Sequence, residues 1–395
     1  MIPFPTVRQA APQLSLMTIM VFLSMYSRVV LSPLLVFIQE DLAIGPATAT
    51  RLFLPMAIAY SVSMLASGFL AERIGHRRTI AASGIVLGAG LLGVGLGGNL
   101  ATMNSAFGLI GAGAGLYPPS GVASVTAMVH DDIRGTAIAI HEVGPNSAFV
   151  LAPLVVAAGV ALVDWRVIAI ASGVVAIAMA FTFERVSIAG GFAARRPHLE
   201  NLAYIFRQPV FWAITVFFSL AASSTLGVFS ILPTFLIGTE GYPVGVVNTL
   251  ISVSRVSGIA MVFAAGVLVD RVGVRRLIGA VIGITGILTL AIGIFTGHAM
   301  LVVVFLQPVI ITAFFPPALS AIADLGPPEI RGVAVAFMIP TVNIVSNGVF
   351  PTMMGALTEQ GMVRAGFVGL GLTMLASLVL LPFLGRSPRG SVPGT

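Results

Sequence analysis

Long apolar runs, broken by short stretches bearing charge, glycine or proline, recur twelve times along the chain. The first six are residues 14–38, 47–71, 79–97, 101–129, 135–161 and 167–183; the last six are 209–237, 244–269, 277–295, 300–323, 333–357 and 365–384. Each run is apolar all round rather than along one stripe, and a bilayer crossing takes about 20 such residues as helix. Barrel strands would alternate with period two over about ten residues. The pattern therefore predicts twelve transmembrane helices, an all-α membrane protein. The first run is too long for a cleavable leader and belongs to a repeat, so it is expected to stay in the protein.

Composition agrees. The 395 residues are 57% hydrophobic and only 9% charged, against about 25% charged in soluble domains. A chain this long with so few charges cannot solvate its own surface, so a water-soluble enzyme is excluded and the lipid bilayer is its first partner. There is no Cys, hence no disulfide, no thiolate chemistry and no Cys-based metal site. No Gly-Lys-Ser/Thr phosphate loop exists, since all 20 basic residues apart from His are Arg; ATP-driven pumping is excluded with it.

The net charge of +6 raises the question of nucleic acid, and the positions of the arginines answer it. Twelve crossings put Arg8, Arg73, Arg77, Arg78, Arg134, Arg185, Arg195, Arg196, Arg207, Arg271, Arg275, Arg276, Arg331, Arg386 and Arg389 on one side. The other side holds Arg51, Arg166 and Arg364. Such a bias marks the cytoplasmic side. Both termini are expected there, in a bacterial inner (plasma) membrane, and no nucleic-acid partner is expected.

The second half echoes the first. Gly68-Phe69-Leu70-Ala71-Glu72-Arg73-Ile74-Gly75-His76-Arg77-Arg78 reappears 198 residues on as Gly266-Val267-Leu268-Val269-Asp270-Arg271-Val272-Gly273-Val274-Arg275-Arg276. Pro118-Pro119 reappears as Pro316-Pro317 at the same offset, and Arg134-Gly135 and Asn146 match Arg331-Gly332 and Asn343 at 197. Two six-helix halves in parallel orientation follow: residues 1–183, a charged cytoplasmic linker at 184–208, and residues 209–395.

The doubled Gly-x3-Asp/Glu-Arg-x-Gly-x-Arg-Arg loop, the twelve runs and the central basic linker resemble the major facilitator superfamily over nearly the whole chain. The resemblance implies two pseudo-symmetric six-helix bundles that rock about a central site, giving alternating access, and a monomer without cofactor. It also implies that Glu72 and Asp270 gate the cytoplasmic face, each carboxylate meeting a helix N-terminus of the other half, where the helix dipole favours it. From the residues themselves, Gly68 and Gly266 allow close helix approach, and Gly75 and Gly273 allow a turn at positive φ. Arg73, Arg77, Arg271 and Arg275 serve equally as positive-inside anchors.

Ionisable groups inside spans are costly and mark function. Here they are Arg28 in the first span, His141 and Glu142 in the fifth, and Arg255 in the eighth. Arg28 and Arg255 each lie 14 residues from the cytoplasmic end of their run, roughly 21 Å in. Two guanidiniums at one level call for an anion between them, and a carboxylate is the natural bidentate partner. Glu142 reads either as a proton carrier or as a fixed counter-ion; Asn146 shares its face one turn on, whereas His141 points about 100° away. Tyr26, Tyr117, Gln307, Asn343 and Asn347 are candidate cavity-lining groups. Ser120 is another, with Phe314 and Phe315 as an apolar wall in the tenth span.

The leading expectation is a secondary transporter of a small organic anion, a carboxylate, in symport with protons. One rival is proton-coupled export of drugs or other hydrophobic compounds. It is weakened because Phe107 stands where the family's exporters tend to carry Arg, and because Ala148-Phe149 replaces the glycines of their Gly-Pro-x2-Gly-Gly element. A second rival is anion exchange without protons.

Overall fold

The computed structural model describes residues 4–190, 205–322 and 328–384; a few side chains inside helices, that of Asp270 among them, lie outside the description. Most of the expected linker, residues 191–204, also lies outside it. The described chain is helical almost throughout, its one β pairing an isolated bridge between Phe4 and Val129.

Twelve spans run in order. They are Val7–Asp41, Pro46–Ile74, His76–Leu96, Leu100–Met128, Arg134–Gly159, Trp165–Val186, Pro209–Thr239, Val244–Val272, Val274–Ile294, Gly297–Ile322, Ala334–Glu359 and Val363–Phe383. By length and composition ten of them can cross a membrane among the described residues; the fourth and eighth, at 29 residues each, make up the twelve. Most ends fall within three residues of the hydrophobic pattern. The first span starts earlier, at Val7, because Thr6 is extended and its hydroxyl accepts the Gln9 N–H at 3.4 Å, capping a polar first turn. Asn99 opens the fourth span in the same way, accepting the Thr102 N–H at 2.9 Å in a reciprocal capping box, which satisfies donors a helix start leaves bare.

In the topology expected from the sequence, even-numbered spans end on the side assigned most of the arginines, called here the arginine-rich face. There Gly75 and Gly273 end spans 2 and 8 at φ 85° and 87°, the left-handed turn that glycine alone takes without strain.

The repeat persists in the packing. Gly88 of span 3 lies against the Gly173 carbonyl of span 6, a Cβ there standing 2.6 Å from the oxygen. In the second half Gly286 and Gly371, each 198 residues on, meet in the same way, with Gly371 that close to the Gly286 carbonyl. At the opposite face Arg166 donates to the Gly97 carbonyl at 2.6 Å, and Arg364, again 198 on, donates to the Phe295 carbonyl at 2.7 Å. Both guanidiniums satisfy carbonyls that the C-terminal ends of spans 3 and 9 leave over. Arg166 also pairs with Asp41 and stacks 4.7 Å above the Trp165 ring.

Contacts group the chain into two compact units. One comprises Met1–Pro197, Leu226–Arg255 and Asn343–Val363; the other comprises His198–Thr225, Val256–Val342 and Arg364–Thr395. The first unit thus holds all of the first six spans together with the opposite-face segments of spans 7, 8 and 11. Everything described next lies within that first unit, except residues 223–225 of span 7, Gln307 with its partners Ser224 and Thr289, and the gating residues of the second half.

Candidate functional site

Spans 7 and 11 do not wind evenly. Span 7 widens into π-helical turns at Ser223–Gly227 and Thr234–Thr239, and span 11 does so at Ile344–Val349. Such turns shift side chains out of helical register and gather at functional sites. They flank Phe229 and Ser230 on span 7 and contain Asn347 on span 11.

These residues close a small cavity around Arg28. It is lined by Met25, Arg28 and Val29 of span 1, Phe53 and Met56 of span 2, Leu226, Phe229 and Ser230 of span 7, and Asn347 of span 11, and leaves about 10 Å³, roughly one water. The Arg28 guanidinium lies 4.8 Å from the Tyr60 ring centroid and donates to the Met25 sulfur at 3.3 Å. Its Nε is buried without a hydrogen-bond partner among the described residues.

Arg255 reaches the same neighbourhood from span 8. Its guanidinium lies 4.7 Å from the Phe149 ring and 5.2 Å from the Phe229 ring, and those two rings meet edge to face at 5.3 Å. Phe229 is therefore shared: it floors the cavity of Arg28 and supports the guanidinium of Arg255. Ser32 holds it in place by donating to its carbonyl at 2.6 Å. On span 8 Ser252, nearly one turn from Arg255, donates to the Val150 carbonyl of span 5 at 3.0 Å.

Span 11 meets span 2 through its amides. Asn343 donates to the Ala57 carbonyl at 3.0 Å, and Asn347 donates to the Asn343 side-chain oxygen at the same distance. Asn347 lines the cavity, and Asn343 anchors it.

A second cluster lies nearer the arginine-rich face. Tyr117, almost fully buried on span 4, donates its hydroxyl hydrogen to the Met17 carbonyl of span 1 at 3.0 Å. The same hydroxyl lies 2.8 Å from Nε2 of the buried His141. A hydroxyl has one hydrogen, so Nε2 must donate to it. Nδ1 of His141 faces Glu142 Oε1 at 3.5 Å. The expected 100° between residues 141 and 142 is a backbone angle; the two side chains turn toward each other and meet. Glu142 itself is 55% exposed, not sunk in apolar protein. With Nε2 already donating, the contact is cohesive only with one further proton, on Nδ1 or on the carboxyl.

The other sequence candidates lie elsewhere. Tyr26 is on the far side of span 1 from Arg28, its hydroxyl 3.3 Å from Ser172 Oγ at a 410 Å³ apolar groove lined by spans 1, 5 and 6. Asn146 is exposed and donates back to the Glu142 carbonyl at 2.8 Å. Gln307, in the second unit, is taken up by the Ser224 carbonyl at 2.9 Å, the Ser224 hydroxyl and Thr289. Ser120, likewise named as a lining candidate, is buried against His76 Nδ1 at 3.1 Å.

Of the gating residues, Glu72 and Arg73 are exposed at the end of span 2, whereas Arg77 reaches Glu184 at 3.8 Å and the Ser187 carbonyl at 3.3 Å. Arg271 and Arg275 are exposed, and the Asp270 side chain lies outside the described residues. No described atom comes within 4 Å of where a Cβ of Gly266 would stand. Among the described residues no group of three His, Asp or Glu is placed to hold a metal ion.

Tyr60, Phe149, Phe229 and Ser230 are site residues that the hydrophobic pattern did not single out. Phe149 entered the sequence reading only as a departure from the exporters' motif, and Tyr60 stands seven residues from Phe53, on the same face of span 2.

The sequence profile described as Major Facilitator Superfamily matches residues 17–266 and 244–394. No curated protein matches the chain in sequence. Solved structures share the fold at low identity. A bacterial homolog of the human lysosomal transporter Spinster, inward-facing and unoccupied, is 15% identical with a TM-score of 0.74, covering 95% of each chain. The peptide transporter POT in complex with sulfate is 16% identical with a TM-score of 0.77, over 98% of this chain and 100% of that one. A D-xylose–proton symporter is 14% identical with a TM-score of 0.76, over 96% and 99%.

Proposed function

The chain belongs to the major facilitator superfamily and is a multi-pass membrane transporter of the secondary type; we propose that it carries a small organic anion, a carboxylate, in symport with a proton. The observation that carries the anion is Arg28. A guanidinium with an aromatic ring on one face, a buried donor without a partner and no carboxylate in ion-pair contact among the described residues offers its charge to a solute. Ser230 and Asn347 add polar contacts, and Met25, Phe53, Met56 and Phe229 add apolar walls, which suits a carboxylate with an apolar body better than a bare inorganic ion. Arg255, supported by Phe149 and Phe229, is the second positive group.

The cavity holds about one water as it stands, so the anion enters when spans 7 and 11 part from spans 1 and 2. Protons are assigned to His141 and Glu142, whose contact is completed by a single proton. Tyr117 fixes which nitrogen of His141 faces Glu142. We place the termini in the cytoplasm, on the arginine-rich side, and take the two sequence halves, 1–183 and 209–395, as the bodies that rock; Glu72 and Asp270 are the gating carboxylates of that face.

A thermal-shift screen of carboxylates tests the anion. A bound solute at 100 times its Kd adds about 2.7 kcal/mol of stability. A carboxylate that raises the melting temperature of the parent should lose at least about tenfold in affinity in Arg28→Ala, the scale of a charge-assisted hydrogen bond to a guanidinium. Stabilisation by hydrophobic cations and by no carboxylate would favour the exporter reading instead.

A further inference from the structure

We propose that Glu359 is a latch that holds the opposite face shut, its carboxylate at the end of span 11 closing on the first turn of span 2. The proposal rests on alternating access by a transporter of this fold, and not on the identity of the solute or the coupling ion.

Span 2 begins without a cap of its own. Its N-cap residue is Gly45, which has no side chain to offer, and its first helical residue is Pro46, which has no N–H. The first bare donor is therefore the N–H of Ala47. Glu359 Oε1 accepts it at 3.0 Å from 312 residues away in sequence. The missing side chain at Gly45 gives the carboxylate its room, since a Cβ there would fall on Oε1. A carboxylate at a helix N-terminus gains from the dipole and makes a charge-assisted bond. A distant residue thus does the work that a local Ser, Asp or Asn does at an ordinary helix start.

The two spans run antiparallel inward from this point, in a matched register. Gly355 lies on Thr50 and on the Pro46 carbonyl, where a Cβ would stand 2.8 Å from the oxygen. Seven residues deeper on each span, Gly348 lies on Ala57 and Leu54, with a Cβ at 3.0 Å and 3.1 Å. Deeper again, Asn343 reaches the Ala57 carbonyl. Inward of the outermost contacts lies the cavity of Arg28, walled by Phe53 and Met56 of span 2 and Asn347 of span 11. The seam of spans 2 and 11 thus lies between the opposite face and Arg28.

Glu359 is the acidic member of the seam, and it is exposed at its rim. Water can take over its hydrogen bond when the seam opens, so the contact is modest and reversible, as a latch requires. On the arginine-rich face the family resemblance gives Glu72, at the end of span 2, a helix N-terminus of the other half. Glu359, at the end of span 11, is its counterpart at the other face.

The test uses the absence of Cys from the chain. Ser230→Cys places a single thiol in the cavity wall, and its reaction with a membrane-impermeant maleimide is timed from each face of oriented vesicles. Adding Glu359→Ala should raise the labelling rate from the opposite face about fivefold and lower it from the arginine-rich face. Glu359→Gln keeps an oxygen for the Ala47 N–H but drops the charge, and should raise the rate about twofold. Unchanged rates in Glu359→Ala overturn the proposal, as do rates that rise alike from both faces, which report a loosened fold. If Glu359→Ala is not recovered folded, Glu359→Gln decides: a rate raised from the opposite face alone upholds the latch, and the parent's rate overturns it.

Discussion

Gly111→Val should leave almost no folded protein. Gly111 sits on span 4 where a Cβ would coincide with the Met56 carbonyl of span 2, with the Met56 carbonyl carbon and Cα at 2.7 Å and 2.8 Å. Gly115, one turn on, meets Tyr60 in the same way, its Cβ position 2.9 Å from the Tyr60 carbonyl carbon. The atoms in the way are backbone, so no side chain can swing aside, and spans 2 and 4 must separate along their length. Overpacking costs about 1–3 kcal/mol when side chains can yield; a backbone collision exceeds that and takes a large part of the ~5–15 kcal/mol that separates folded from unfolded domains. Gly108→Val is the matched control, for no described atom lies within 4 Å of its Cβ position. In fluorescence-detected size exclusion, Gly111→Val is expected to lose its monodisperse peak about tenfold or more while Gly108→Val keeps it. Equal recovery of the two variants would mean that spans 2 and 4 do not approach as described.

That seam shows what the amino-acid order carries and what it does not. Period and length suffice for twelve spans, because lipid leaves a backbone few ways to satisfy itself except by coiling. The offset of 198 carries further than motif matching suggests: Arg166 and Arg364 stand at that offset and bind matched carbonyls, so two arginines that depart from the charge bias are helix-end caps. Tyr26 illustrates a signal that was present but unused. Positions 26 and 28 differ by about 200° around a helix, so one of them had to leave the cavity if the other lined it. The meeting of His141 with Glu142 was hidden for the opposite reason, since helical angle fixes where a Cβ points and not where a long side chain ends. Phe229 was out of reach, because its placement depends on π-helical turns that no periodicity announces; Asn347, legible as a polar group in a span, lies in the π-helical turn of span 11. Gln307 was read by type: a polar group in a span suggests a cavity, but here the Ser224 carbonyl satisfies it between helices, the other common fate of such a residue.

Glu142→Gln should remove the response of uptake to a proton gradient while leaving solute exchange in place. The reason lies in the hydrogen count around His141. Tyr117 spends its one hydrogen on the Met17 carbonyl, so His141 Nε2 donates to Tyr117 and Nδ1 is left to face Glu142. One proton completes that contact, and its loss leaves a lone pair against a carboxylate. A glutamine amide fills the gap permanently, since its N–H₂ donates to Nδ1 without any proton being taken up. In proteoliposomes an imposed inward proton gradient is expected to accelerate uptake by the parent at least tenfold more than uptake by Glu142→Gln, with counterflow of labelled solute unchanged between the two. Tyr117→Phe separates positioning from carriage: it keeps the ring beside His141 and frees Nε2 from donating, so either nitrogen can then face Glu142. Coupling should weaken in that variant without vanishing, and the pH profile of uptake should broaden. An undiminished gradient response in Glu142→Gln would take the proton away from this pair and leave anion exchange at Arg28 as the reading that survives.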